Sequence, residues 1–324
     1  MKEFVQRFTA SGGRQVGTAG HAEARRMIDE RLMKIKEANP AAPLQPYAGD
    51  SFVMRYAFNG ASFANVIARI KTTSNKNPIL IGAHFDTCGH QSGADDNAAA
   101  VAIVFNILER LLENENWKRL GGDVVFAFFD AEEPPNFVQR SMGSIRFYEA
   151  QRSEDFALAI IMDLVGHDVP VTGLEKLVAA MGMESHPSLE KLLNDVDTGK
   201  DIGLVAIQNR FIGDLSDHHI FRVNGVPFLF FSCGHWQHYH QVTDTWEKLN
   251  YNKMEAIASY LYNLILTYSN YDFTDNHQGY DPTQTELKLM NRSLEPLLRA
   301  KGISELKSKE EMERVVGMLL SFGL

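Results

Sequence analysis

The sequence predicts an α/β fold: one sheet covered by helices on both faces. Three observations carry this. From Ile79 onward apolar strand-like runs alternate with helical patterns: strand to Ala83, helix Asn97–Leu112, strand to Asp130, helix Ser141–Gln151, strand to Met162. The runs Ile79–Ala83, Val124–Phe129 and Leu158–Met162 are apolar throughout instead of alternating, as in strands buried on both faces. Side chains able to bind metal sit at or just past their ends, where open α/β sheets hold ligands. With 324 residues, 44% hydrophobic and 23% charged, the chain can bury a sizeable core.

Gly17 to Ile35 reads as an amphipathic helix, with Ala24, Met27, Ile28, Leu32 and Ile35 at helical spacing. The Pro- and Ala-rich stretch from Asn39 to Pro46 breaks it. Phe52–Phe58 and Phe63–Ile70 read as two strands joined through Asn59-Gly60, a hairpin signal. After the alternating region, Gly173 to Asp217 is irregular and is expected to hold one or two helices and loops that shape a pocket. Ser216–Arg222 and Met254–Leu266 read as helices, the second with Met254, Ile257, Ala258, Leu261 and Ile265 on one face. Past Asp272 the chain turns polar and offers two short helices, roughly Thr283–Ala300 and Ser308–Leu320. That tail carries no chemical signal and reads as packing or partner surface. The expected organisation is one domain over 1–270 with a helical extension over 271–324 packed on it.

A net charge of −9 argues against nucleic acid, which favours a basic face. No run of eighteen apolar residues occurs, so no membrane span is expected. Met1–Arg7 has no apolar leader, so a cytoplasmic protein is expected from the sequence as it stands, or a periplasmic or secreted one if a signal segment was removed. Cys88 and Cys233 are too few for a disulfide framework and read as buried thiols, a single bridge between them remaining open.

The chemistry concentrates in a few places. His84 ends the first strand and is followed by Asp86; Asp96 lies in Gly93-Ala94-Asp95-Asp96-Asn97; Glu132 and Glu133 follow the second strand; Asp163 ends the third; His240 lies in the loop after Val226–Phe231. Nitrogen and carboxylate donors without a Cys partner suit zinc engaged in hydrolysis. A solvated acidic turn is a poor reading of Glu132-Glu133 after so apolar a strand. His218 and His219 read either as support for a ligand or as packed side chains. His235 and His238 are alternatives to His240 as the loop's ligand, with the Thr243-Asp244-Thr245 spacing favouring His240, and His90, His167, His186 and His277 read as ordinary.

These segments resemble the co-catalytic zinc exopeptidases of metallopeptidase family twenty-eight (clan MH), whose fold glutaminyl cyclases share. The resemblance rests on His84-Phe85-Asp86, Gly93–Asn97, Ala131-Glu132-Glu133, Met162-Asp163 and His240–Thr245, in the family's order over about residues 15–270. It implies a single three-layer domain with a mixed, mostly parallel sheet, of the zinc exopeptidase (phosphorylase/hydrolase-like) type. By that resemblance Asp96 bridges two zinc ions, His84 and Asp163 complete one site, and Glu133 and His240 complete the other. Asp86 orients the His84 imidazole, Glu132 is the general base, and Tyr239 is a candidate hydrogen-bond donor to the oxyanion. Asp217, in Ser216-Asp217-His218, is a candidate for a catalytic or substrate role, with a helix N-cap as the plain alternative. Pro134-Pro135 and the tail depart from the family pattern.

The implied activity is release of N-terminal, apolar residues from peptides with a free N-terminus by a metal-activated water. The alternative is glutaminyl-peptide cyclotransferase activity, which forms pyroglutamate, releases ammonia and works with one zinc. Phe128–Glu133 and Met162–Gly166 resemble cyclase text, whereas Tyr239 and Gly93–Ala98 favour the peptidase. Leu164-Val165 and Leu204–Leu215, with Phe211 and Ile212, are the expected sources of the specificity pocket. Oligomeric state is not legible.

Overall fold

The computed structural model describes residues 1–151, 154–274 and 281–323. In chain order its elements are α1 (Lys2–Phe8), α2 (Ala19–Ala38), β1 (Leu44–Pro46), β2 (Val53–Phe58), β3 (Ala61–Ile70), β4 (Ile79–His84), α3 (Ala99–Leu112), β5 (Val124–Phe129), α4 (Gly143–Ala150), β6 (Leu158–Met162), β7 (Leu177–Met181), α5 (Pro187–Asp195), β8 (Gly203–Ile207), α6 (His218–Val223), β9 (Phe228–Ser232), α7 (Tyr251–Thr267), α8 (Thr283–Ser293), α9 (Glu295–Ala300) and α10 (Lys309–Ser321).

All nine strands join one mixed sheet in the order β1-β3-β5-β4-β6-β9-β7-β8, with β2 paired to β3. The central strands β5, β4, β6 and β9 run parallel. Antiparallel pairs flank them. Central strands in such sheets need cover on both faces, and β4, β5, β6 and β9 are buried along their whole length. The chain passes from β4 one way to β5, then back across β4 to β6. Right-handed crossovers therefore put α3 and α4 on opposite faces. α3, buried almost all round, lies between β4 and α7, and α4 and α6 cover the other face, where Tyr148 meets Phe221 edge-on.

The β2–β3 turn is formed by Asn59 and Gly60, both at positive φ, the conformation a two-residue hairpin requires. α2 starts one residue past its Thr18 cap, whose side chain accepts the His21 N–H. Two expectations change. The stretch 173–217 holds one helix, α5, but also strands β7 and β8; Leu177–Met181 and Gly203–Ile207 are five-residue apolar runs, too short for periodicity to assign. The helix expected over 283–300 breaks at Leu294, which leaves helical backbone at φ −103° and ψ 9°, and Pro296, which lacks a donor, falls in the first turn of α9 where none is needed.

The tail is not a separate body. Leu287, Met290, Leu298, Met312, Val316 and Leu319 belong to the same core as the sheet strands, and α8 covers the edge strand β8, where the Ser293 hydroxyl donates to the Leu204 carbonyl. No helix among the described residues is long and apolar enough to cross a membrane.

Candidate metal centre

The parallel register sets His84 beside Phe129 and Met162 beside Phe231, so the ends of β4, β5, β6 and β9 share one rim. Asp86, just past β4, is the organiser of that rim. Its two oxygens accept the backbone N–H groups of Glu132 and Glu133, each at 3.0 Å, and one lies 3.4 Å from His84 Nδ1. One buried carboxylate thus fixes the backbone of both glutamates and lies beside the imidazole.

Asp96 is presented by a tight turn over Ala94–Ala98 in which Asp96 and Asn97 leave helical backbone. Gly93 opens it at φ 57°, and a Cβ there would lie 2.2 Å from the Asp96 carbonyl oxygen, so only glycine fits. Asp244 clamps the turn by accepting the Asp95 and Asp96 N–H groups at 2.9–3.1 Å. Asn97 ties the turn to β6 through the Met162 carbonyl, at 2.9 Å. Held in this way, Asp96 faces two imidazoles with separate oxygens: Oδ1 is 3.4 Å from His84 Nε2, and Oδ2 is 3.2 Å from His240 Nε2.

Each imidazole has further acids beside it. Asp163 Oδ2 lies 3.5 Å from His84 Nε2 and accepts the Ser216 hydroxyl at 2.9 Å. Glu133 Oε2 lies 3.3 Å from His240 Nε2. Glu132 Oε2 is 3.8 Å from His84 Nε2. The donor atoms of His84, Asp96 and Asp163 all fall within 4.8 Å of one another; so do those of Glu133, His240 and Cys88. Ala131, Leu164 and His240 take positive φ values of 54–56° beside these groups, an unfavourable backbone for side-chain-bearing residues that clusters at functional sites.

This constellation fits a metal ion. His84 Nε2, Asp96 Oδ2, Glu133 Oε1, Asp163 Oδ1 and His240 Nε2 are buried with no hydrogen-bond partner, and each such atom costs about 1–3 kcal/mol unless something satisfies it. Burial and crowding push Glu133 up to about 8, and they raise Glu132 and Asp163 as well. Burial opposes protonation of His240, but Asp96 and Glu133 outweigh it and lift the imidazole to about 10. A pocket built mainly of oxygen and nitrogen donors with this surplus of acid calls for a cation.

Two other predicted residues take distinct places. Tyr239 lines the cavity with its ring stacked between His235 at 4.2 Å and His240 at 3.8 Å. Asp217 is wholly buried at the start of α6, makes no capping bond and is not among the residues lining the cavity; burial pushes it up to about 7. The neighbouring histidines pack or pair outside the cluster: His218 stacks on Phe230, His219 pairs with Asp214 at 2.8 Å, and His167 pairs with Asp95 at 2.7 Å. His277 lies outside the described residues. Both cysteines are free thiols, Cys233 buried and Cys88 half-exposed.

The cavity beside these groups has a volume of about 380 Å³. Its apolar wall comes from Leu164, Met181, Phe211, Ile212, Leu215 and Phe230, and from Leu320 of α10. The expected segments supply part of that wall. Met181 of β7 and Phe230 of β9 add to it, and so does the tail, read from sequence as packing or partner surface, through Leu320; His235 donates its N–H to the Gly323 carbonyl at 2.5 Å.

Sequence reasoning missed Arg14 and gave Asp244 no role. Arg14 is fully buried behind the rim and donates to the carbonyls of Phe85, Ser92 and Gly93 at 2.5–2.9 Å. Its cation faces Asp96, Asp244, Asp86 and Glu133, although burial lowers its pKa to about 10. A lone Arg before a helix gives no local signal. Asp244 stood in a quoted motif, and its spacing from His240 was the available clue.

A sequence model described as Peptidase family M28 matches residues 65–265. A Caenorhabditis elegans protein provisionally named endoplasmic reticulum metallopeptidase 1-A is 30% identical over 155 residues, 44% of this chain and 17% of that protein. The LapA aminopeptidase of Legionella pneumophila superposes with a TM-score of 0.69 at 13% identity, covering 83% of this chain and 70% of that one. Porphyromonas gingivalis glutaminyl cyclase superposes with a TM-score of 0.62 at 19% identity, covering 82% and 95%. These two likenesses establish the shared fold.

Proposed function

The chain belongs to peptidase family M28, and on that basis we propose that it is a zinc-dependent aminopeptidase releasing apolar N-terminal residues from peptides. The observation that carries the reading is Asp96, whose two oxygens face His84 and His240 separately. Asp96 would be shared by two zinc ions, with His84 and Asp163 holding one and Glu133 and His240 the other. In this reading 1–270 is the catalytic domain and 271–324 an extension packed on it.

Zinc, when bound, polarises a carbonyl and acidifies a water. The chain's residues do the rest. Glu132, buried and left off the metal, takes the proton of the attacking water and returns it to the departing amine. Asp86 keeps Glu132 and Glu133 in register through their N–H groups. The substrate's free ammonium sits between Glu132 and Asp163, which limits cleavage to chain ends. Tyr239 donates to the oxyanion, while Asp217, off the cavity wall, acts only through the buried acids around it. The apolar wall of Met181, Phe211, Ile212 and Phe230 takes the first side chain.

A second reading is favoured by the cyclase-like segments Phe128–Glu133 and Met162–Gly166: cyclisation of N-terminal Gln with loss of ammonia, using one zinc. Mass spectrometry on Leu-initiated and Gln-Leu-initiated peptides, incubated with zinc-loaded protein, separates the two. Loss of the terminal Leu supports the aminopeptidase. Loss of ammonia from the Gln peptide with the Leu peptide intact overturns it.

A further inference from the structure

Cys88 brings a thiol to a site whose other predicted ligands are nitrogen and oxygen. It follows β4 by four residues, in a turn pinned on both sides. The Thr87 hydroxyl accepts the Arg14 backbone N–H at 2.7 Å and donates to the Gly89 carbonyl at 3.0 Å. The turn holds Cys88 Sγ within 4.8 Å of donor atoms of Glu133 and His240. Glu133 is only 4% exposed, and its Oε1 has no hydrogen-bond partner; His240 Nε2 has none either. Protein ligands around one tetrahedral zinc lie roughly 3.5 Å apart, given Zn–S and Zn–N bonds of about 2.3 and 2.0 Å. A small side-chain rotation closes the difference.

We propose that Cys88 is a further metal ligand, which makes the Glu133–His240 site a mixed nitrogen, oxygen and sulfur site while the His84–Asp96–Asp163 site stays free of sulfur. The inference rests on the reading that Glu133 and His240 bind metal. As the Sγ–metal bond forms, the thiol proton leaves to solvent, so binding at this site releases a proton. The sulfur biases the site toward softer ions, and the two sites differ in metal preference. Cys88 is half-exposed, so the unligated thiol is open to reagents, whereas buried Cys233 is not.

The test loads metal-free protein with cobalt(II) and separately with zinc, measuring bound metal by elemental analysis. Cobalt-loaded protein should show a near-ultraviolet thiolate-to-cobalt charge-transfer band that Cys88→Ser abolishes. The variant should bind zinc at that site on the order of tenfold or more weakly. In the unmutated protein, iodoacetamide should modify Cys88 rapidly without metal and slowly once zinc is bound, as mapped by peptide mass. Metal uptake with neither the band nor protection of Cys88 overturns the proposal and leaves the two-site reading standing. Failure to take up either metal overturns both.

Discussion

At the scale of single residues, the site divides its labour among neighbours of the same chemical type. Glu132 and Glu133 are consecutive, yet Glu133 lies against His240 and Glu132 leans toward His84 from slightly farther off. Both are fixed by one carboxylate, Asp86. Replacing Glu132 with Gln keeps the shape and removes the proton acceptor that the proposed function requires. Glu132→Gln should therefore retain its zinc, by elemental analysis, while kcat falls by roughly 10²–10⁴, the usual contribution of a general base. Near-normal turnover would remove Glu132 from the role. Asp244 acts at one remove, through the N–H groups of Asp95 and Asp96. Asp244→Asn should weaken zinc binding by roughly 10–100-fold, the common effect of disturbing a ligand's support. A competition titration with a chelating dye measures it, and unchanged affinity would mean that the turn holds Asp96 without help.

At the scale of elements, the loops after the strands are held by ion pairs as much as by apolar packing. The segment between β8 and α6 carries Phe211, Ile212 and Leu215 to the cavity, and Asp214 anchors it. Asp214 accepts from the Arg222 guanidinium at 2.5–2.6 Å and pairs with His219 at 2.8 Å. Burial opposes ionisation of Asp214, but these partners outweigh it and hold the carboxyl at about 2, below its ordinary 3.8. A folded pKa below the unfolded one stabilises the native state above the unfolded value, and the gain disappears as pH falls through the folded value. The stability difference between the native protein and Asp214→Asn should therefore be full above pH 4, about 1 kcal/mol after solvent screening, and vanish toward pH 2. Thermal midpoints across that range check it; a difference that does not change with pH would show that the charge of Asp214 is not what anchors the loop.

For the whole molecule, the sheet makes the rim and the chain's two ends close it. Arg14, from the segment before α2, sits behind the rim, and Leu320 and Gly323, from the last helix and its end, stand at the mouth of the cavity. The tail is thereby coupled to substrate choice under the proposed function. Leu320→Trp should narrow the cavity and raise KM for peptides starting with Leu or Phe about tenfold relative to those starting with Ala, with kcat for Ala little changed. Equal effects on all three substrates would separate the tail from the pocket.

What the sequence determined by itself was local and chemical. Strands apolar on both faces, helices at helical spacing and the Asn59-Gly60 turn announced the central sheet, because each pattern reports its own environment. The acids and imidazoles at the strand ends announced a rim rich in metal-ligand side chains, because a parallel sheet brings such ends together. What tertiary structure decided was pairing at a distance. β7 and β8 are five-residue runs that become strands only beside β9 and each other. Arg14 carries no signal until the β4 loop folds over it, and Cys88 joins Glu133 and His240 only across the rim. The tail carried no chemical signal in sequence, and Leu320 lies 80 residues past His240; α8 on β8 returns it to the cavity. Chain separation hides such contacts from any window of sequence, and packing of the shared core creates them.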